Sequence, residues 1–157
     1  TGVSLPLEAA VPEHRLPWLE LQPPDGTDCT SWSPDGLEDL SRVRREFRTW
    51  VVAAGEGVPR LRGDRVDEGV MALDELMSNA LRHGRAPVEV HVCDADGGVL
   101  LRVADRDTEN PPRPTSTRDP SQGGMGLGMI ADFAVDCGWY PFEDQKVVWA
   151  VMPCVES

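Results

Sequence analysis

Apolar residues recur every three or four positions through Leu37, Leu40, Val43, Phe47 and Val51, a spacing that lines one face of a helix. Ser33-Pro34-Asp35 supplies capping chemistry ahead of that run, and Gly55 and Gly57 mark its end. A second run, Val66, Val70, Leu73, Met77, Ala80 and Leu81, predicts a helix over 64–83 stopped by Gly84 and Pro87. The period then changes to two. Val88, Val90 and Val92 alternate with Glu89 and His91, a turn follows over 94–98, and 99–103 is a second strand, so an antiparallel hairpin is predicted. Gly124-Met125-Gly126-Leu127-Gly128 opens a third predicted helix that carries Ile130, Phe133, Ala134 and Cys137, and 146–152 reads as a closing strand.

The order helix, helix, strand, strand, helix, strand predicts an α+β fold, a two-layer sandwich with helices on one face of a mixed, mostly antiparallel sheet. Residues 1–28 hold five prolines among scattered leucines and Trp18, which breaks both periods, so they read as an irregular Pro-rich arm before a domain over 29–157. Between Arg106 and Gly123 there is no large apolar side chain, and a structureless stretch of that length is expected either to be a lid or to be disordered.

With 157 residues the chain is long enough for one domain with a real core. A net charge of -12 argues against duplex nucleic acid or an anionic membrane as the main partner, and leaves a basic protein partner open. No apolar run approaches the roughly 20 residues that span a bilayer, and no signal peptide pattern opens the chain, so a cytoplasmic location is expected. Cys29, Cys93, Cys137 and Cys154 form no C-x-x-C pair, so reduced thiols are expected rather than zinc or a disulfide framework. The chain begins at Thr1 rather than a methionine and is read as a trimmed form or a piece of something longer.

Candidate chemistry centres on ELMSNALRHG, residues 75–84, where Glu75, Asn79 and His83 share one helical face at four-residue intervals. The apolar stripe falls on the opposite side, so by itself the triplet reads more simply as the solvated face of an amphipathic helix. Asp105 stands at the exit of the hairpin's second strand. The glycines at 124 and 126 would bare backbone N–H groups to phosphates at the start of a helix. Asn79 offers a hard oxygen to magnesium, and Glu75, one turn earlier, could accept a proton from an attacking hydroxyl or water. His83 reads more simply as a helix-end residue favourable to the dipole. The arginines at 42, 44, 45 and 48 are either a contact for an acidic partner or a solvated face.

Over about residues 30–153 the sequence resembles the GHKL, or Bergerat, ATP-binding fold of gyrase, histidine kinases and MutL, and within it the stand-alone anti-sigma-factor serine kinases. ELMSNALRHG resembles the family's N box, VADRDTENPP from Val103 its first glycine box, GGMGLGMI from Gly123 its second, and QKVVWAVM from Gln145 its closing strand. The resemblance implies Glu75 as general base, Asn79 as magnesium ligand, and Asp105 as acceptor from the adenine amino group. It implies Gly124, Gly126 and Leu127 as phosphate-contacting backbone, with Lys146 a further residue near the nucleotide. Cofactors would be ATP and Mg2+. Partners would be a STAS-type anti-sigma antagonist and a sigma factor, the γ-phosphate passing to a serine or threonine, and a homodimer is compatible with it. Two other readings stand beside this one: a GHKL-fold module that sequesters a partner without turnover, and the ATP-binding fragment of a larger sensor kinase. One departure stands out. Asp107 and Glu109 occupy positions where the first glycine box carries glycine, and carboxylates there would repel a triphosphate unless Arg106, Arg113 or Arg118 offset them.

Overall fold

The computed structural model describes residues 18–53, 59–112 and 126–154. Five strands form one sheet in the order β1-β2-β3-β5-β4: β1 Gly26–Trp32, β2 Glu89–Ala95, β3 Gly98–Asp105, β4 Asp136–Phe142 and β5 Gln145–Pro153. Every neighbouring pair is antiparallel. Three helices, α1 Leu40–Val52, α2 Asp64–His83 and α3 Gly126–Phe133, complete an α+β fold.

The helical period determines what meets the sheet. Leu40, Val43, Phe47 and Val51 of α1 and Val70, Leu73 and Met77 of α2 are buried with Val90, Val92, Leu101, Val103, Val148, Ala150 and Met152 of the sheet in one core. Burying each of these large side chains contributes roughly 1.5–3 kcal/mol, so this face holds the two layers together. Because α2 packs against α1, α3 and the sheet, its middle is enclosed on more sides than an amphipathic surface helix. Glu75 and Ser78 are buried as a result, which overturns the solvated polar face as a description of Glu75.

Several local expectations change. The first helix begins with a 3-10 turn over Leu37–Asp39, and capping runs backwards: the Asp35 N–H donates to Asp39 Oδ2 at 2.7 Å. The third helix ends at Phe133 rather than running to Cys137. Val135 N–H donates to Val151 O, and Cys137 lies in β4 opposite Ala150, because pairing with the buried strand β5 offers the chain more than another helical turn containing Gly138. Strand β1 begins at Gly26, within the stretch 1–28 that reads as an irregular arm, and crosses into the expected domain. Its sequence, GTDCTSW, has no apolar alternation because it is an edge strand, exposed along much of its length. The expected reduced state of Cys29 and Cys93 is also corrected: pairing of β1 with β2 brings the two, 64 residues apart, into a disulfide. Cys137 and Cys154 remain thiols.

Candidate functional site

A cavity of about 360 Å3 opens between the C-terminal half of α2 and the adjoining ends of β3 and β5. Leu76, Ala80, Val103 and Val148 give it apolar walls, and its polar side chains are Asn79, His83, Asp105, Asn110 and Lys146. A flat aromatic ligand with a few hydrogen-bonding atoms suits such a lining.

Asp105 is 2% exposed. Its Oδ1 accepts the Asp107 N–H at 2.7 Å and the Arg85 N–H at 3.4 Å, and Oδ2 lies 3.7 Å from Lys146 Nζ. Asp105 and Lys146 are direct cross-strand partners, so the sheet register sets this pair. Burial pushes the Asp105 carboxyl above the ordinary carboxylate value, against the pull of the Asp107 N–H, Lys146 and the Arg85 N–H. The other side of the carboxylate meets Gly84: a Cβ there would come 2.5 Å from Asp105 Cγ and 2.6 Å from Oδ2. Gly84 therefore does more than stop α2. It leaves the space in which the carboxylate stands.

The loop after β3 answers the question raised by the missing glycines. Asp107 is buried with its carboxylate turned into its own loop, where it accepts both Asn110 Nδ2 contacts, at 3.1 and 3.0 Å, and the Glu109 N–H at 3.3 Å. The Asn110 side chain is the largest cause holding the Asp107 carboxyl below its ordinary value, outweighing the opposing effect of burial. Neither Asp107 nor Glu109 is among the described residues with positive φ, so the backbone here does not demand glycine. Lys146 Nζ also donates to Asn110 O at 2.7 Å, which pins the start of the long polar loop to β5. Arg106 extends away and pairs with Asp144 in the β4–β5 turn.

Of the residues singled out from the sequence, Asn79, Asp105, Lys146 and His83 line the cavity. Glu75 lies one turn before Asn79, buried, outside the lining. Gly126 opens α3 with φ 71, and Leu127 is fully buried, its carbonyl accepting the Trp18 indole N–H at 3.3 Å. Gly124, Arg113 and Arg118 lie outside the described residues. Sequence reasoning placed Asn110, Pro111 and Pro112 within the first glycine box but gave them no individual role, although they also line the cavity, and it saw in Gly84 only a helix stop. Their signal was position: they flank Asp105 in the chain or terminate the helix that carries Asn79. The arginines of α1 are largely paired, Arg44 with Asp74, Arg48 with Asp67 and Arg42 with Glu46, which favours the solvated-face reading over a free basic patch.

An acid buried at a strand end and an asparagine on the facing helix thus stand together at an apolar cleft. The chain belongs to the histidine kinase-like ATPase domain family, whose model matches residues 34–152. The family implies ATP binding. The fold is similar to that of the RsbU and RsbW domains of Rv1364c from Mycobacterium tuberculosis, with a TM-score of 0.55 and 20% identity, covering 83% of this chain and 35% of that one. The sequence is also 24% identical over 156 residues to a glutamate–tRNA ligase of Exiguobacterium sibiricum, covering 89% of this chain and 31% of that protein. This chain thus spans about a third of the length of each. Among the described residues no helix is long and apolar enough to cross a membrane.

Proposed function

We propose that the protein binds Mg-ATP in the cavity between α2 and the β3–β5 end, and transfers the γ-phosphoryl group to a serine or threonine of a protein partner, in the manner of an anti-sigma-factor kinase. The observation that carries the binding half is Asp105, whose buried carboxylate stands at an apolar cleft with Oδ1 committed to two backbone donors and Oδ2 left toward Gly84 and Lys146. In this reading Oδ2 accepts from the adenine amino group while Val103 and Val148 pack against the ring.

In this reading Asn79, which lines the cavity, would present its amide oxygen to a magnesium ion. The ion would then be held mainly by phosphate oxygens and water, as magnesium tolerates. When bound, it would neutralise phosphate charge. Glu75, one turn earlier, is the residue for accepting the hydroxyl proton, and the backbone around Gly124, Gly126 and Leu127 would steady the phosphates. The inward turn of the Asp107 carboxylate supports the reading, since its charge is directed onto Asn110 and the Glu109 N–H within its own loop. Partners consistent with the family resemblance are a STAS-type antagonist and a sigma factor, with a cytoplasmic location.

Calorimetric titration with ATP, with and without Mg2+, tests the site on the wild type and on Asp105→Asn. Equal heats from both proteins would remove the adenine assignment. Incubation with γ-labelled ATP and a STAS-type protein then separates a kinase from a sequestering module: binding without label transfer supports the module.

A further inference from the structure

The segment that precedes α1 is a strap around the sheet. Trp18 is buried in the main core with its indole on Leu127 O at the start of α3. The next residues run beside β4: Trp139 N–H donates to Leu19 O at 3.0 Å and Leu21 N–H to Trp139 O at 2.8 Å, through a parallel bridge at Glu20. Leu21 O then accepts the Trp149 indole N–H at 2.8 Å. Trp149 lies on the sheet face away from the helices, in a cluster with Leu100 and Val151, so residues 22–25 take the chain over that face. They end at β1, on the opposite edge of the sheet, and there the Cys29–Cys93 bond fastens the strap.

The two cysteines differ in exposure. Cys29 is exposed, whereas Cys93 is fully buried and its Sγ receives Arg102 Nη2 at 3.4 Å. We propose that the Cys29–Cys93 bond is a reversible thiol–disulfide modification site, reduced by a dithiol reagent or dithiol protein, and that its state sets how firmly the strap holds α3. An external thiolate attacks Cys29 Sγ, a mixed disulfide forms there, and the Cys29–Cys93 bond breaks with its electron pair leaving on Cys93 Sγ beside the Arg102 guanidinium. The second thiol of the reductant, once deprotonated, attacks its own sulfur in the mixed disulfide and releases Cys29. The dithiol is oxidised and both cysteines end reduced.

The surroundings favour a mechanical consequence. Strand β1 has one strand partner, β2, and their register breaks between Thr27 and Thr30, where Asp28 is held at φ 53. Without the covalent link, this bulged edge is the weakest part of the strap, and relaxation there frees the segment that ends at Trp18 and Leu127. Burial pushes the Cys137 thiol up to about 11, with Asp136 adding to it, so Cys137 is a poor competitor for exchange.

The test uses the full chain, oxidised and then treated with millimolar dithiothreitol without denaturant. Alkylation and peptide mapping are expected to find both Cys29 and Cys93 modified. Hydrogen exchange over 18–32 and the first turn of α3 is expected to quicken by about tenfold, with the β2–β3 hairpin unchanged. Cys29→Ser should show the faster exchange without reductant. A bond that resists dithiothreitol until the protein is unfolded would overturn the proposal. So would faster exchange confined to 26–32, or a Cys29→Ser protein that exchanges like the oxidised form. Arg102→Gln should slow reduction by about three- to tenfold at equal thermal stability, and an unchanged rate would remove Arg102 as the group that eases departure of Cys93. None of these readouts depends on ATP, so they stand or fall apart from the proposed kinase activity.

Discussion

Replacing Gly84 by alanine adds one methyl group and directly tests how the site is built. The backbone tolerates it: Gly84 has φ -91 and ψ -160, which any residue adopts, so alanine alone would stabilise by about 0.4–1 kcal/mol through the unfolded state. The space does not tolerate it. The new Cβ would lie 2.5 Å from Asp105 Cγ, 2.6 Å from Oδ2 and 2.7 Å from Ala80 O. Ala80 O accepts the Gly84 N–H at 2.9 Å and is helix backbone, so the end of α2 has to shift as well as the carboxylate. Moving it disturbs the bonds from Asp107 and Arg85 N–H groups and the contact with Lys146. Overpacking of this kind costs about 1–3 kcal/mol. After the backbone gain the net loss is about 0–2.5 kcal/mol, a fall in Tm of up to about 10 °C for a chain of this size. Losing a hydrogen bond to a charged acceptor weakens ATP binding by about 1.5–3 kcal/mol, or roughly 10- to 150-fold. Thermal melts and calorimetric titration well below the melting temperature measure the two effects separately. A Gly84→Ala protein that binds ATP with wild-type affinity would refute the packing of Asp105 against Gly84 as the basis of the site.

Asp105→Asn should lose ATP binding by about tenfold or more without losing stability at neutral pH. The Asp105 carboxyl is raised by burial, so the folded state holds its proton more tightly than the unfolded state. Between the ordinary carboxylate value of 3.8 and the raised folded value, wild-type stability therefore falls as pH rises, and the asparagine variant should lack that slope in pH-dependent urea melts. Asn79→Ala should weaken ATP binding in the presence of Mg2+ and leave metal-free binding nearly unchanged; an equal loss in both titrations would exclude a metal-directed role. Glu75→Gln should retain ATP and lower label transfer by about 10²- to 10⁴-fold, and a wild-type transfer rate would remove Glu75 as the base.

The long elements were legible because their apolar periods answer to burial on one side. The bounds of α2, 64–83, came from its stripe and from Gly84, and the β2–β3 hairpin from the alternation over 88–92, the turn over 94–98 and the apolar run that follows. Strands β1 and β4 were not legible. Both are edge strands whose outward positions need no apolar residue, and β4 carries Gly138 and Pro141 in a sequence that reads as anything but a strand. The site divides the same way. Asn79 and Asp105 stood out by chemistry and spacing, whereas Asn110 and Gly84 matter only through what they touch.

The sequence by itself determined the helix faces, the central hairpin, the acid and amide that meet at the cleft, and the family to which they belong. Local periodicity and short motifs suffice there, because each depends on neighbours within a few turns of chain. Only the tertiary structure decided that Glu75 is enclosed, that the Asp107 carboxylate folds back onto Asn110, that Gly84 makes room for Asp105, and that Cys29 meets Cys93. Each of these joins groups from different elements or reverses a side chain's direction, and contacts of that kind are set by sheet register and packing rather than by spacing along the chain.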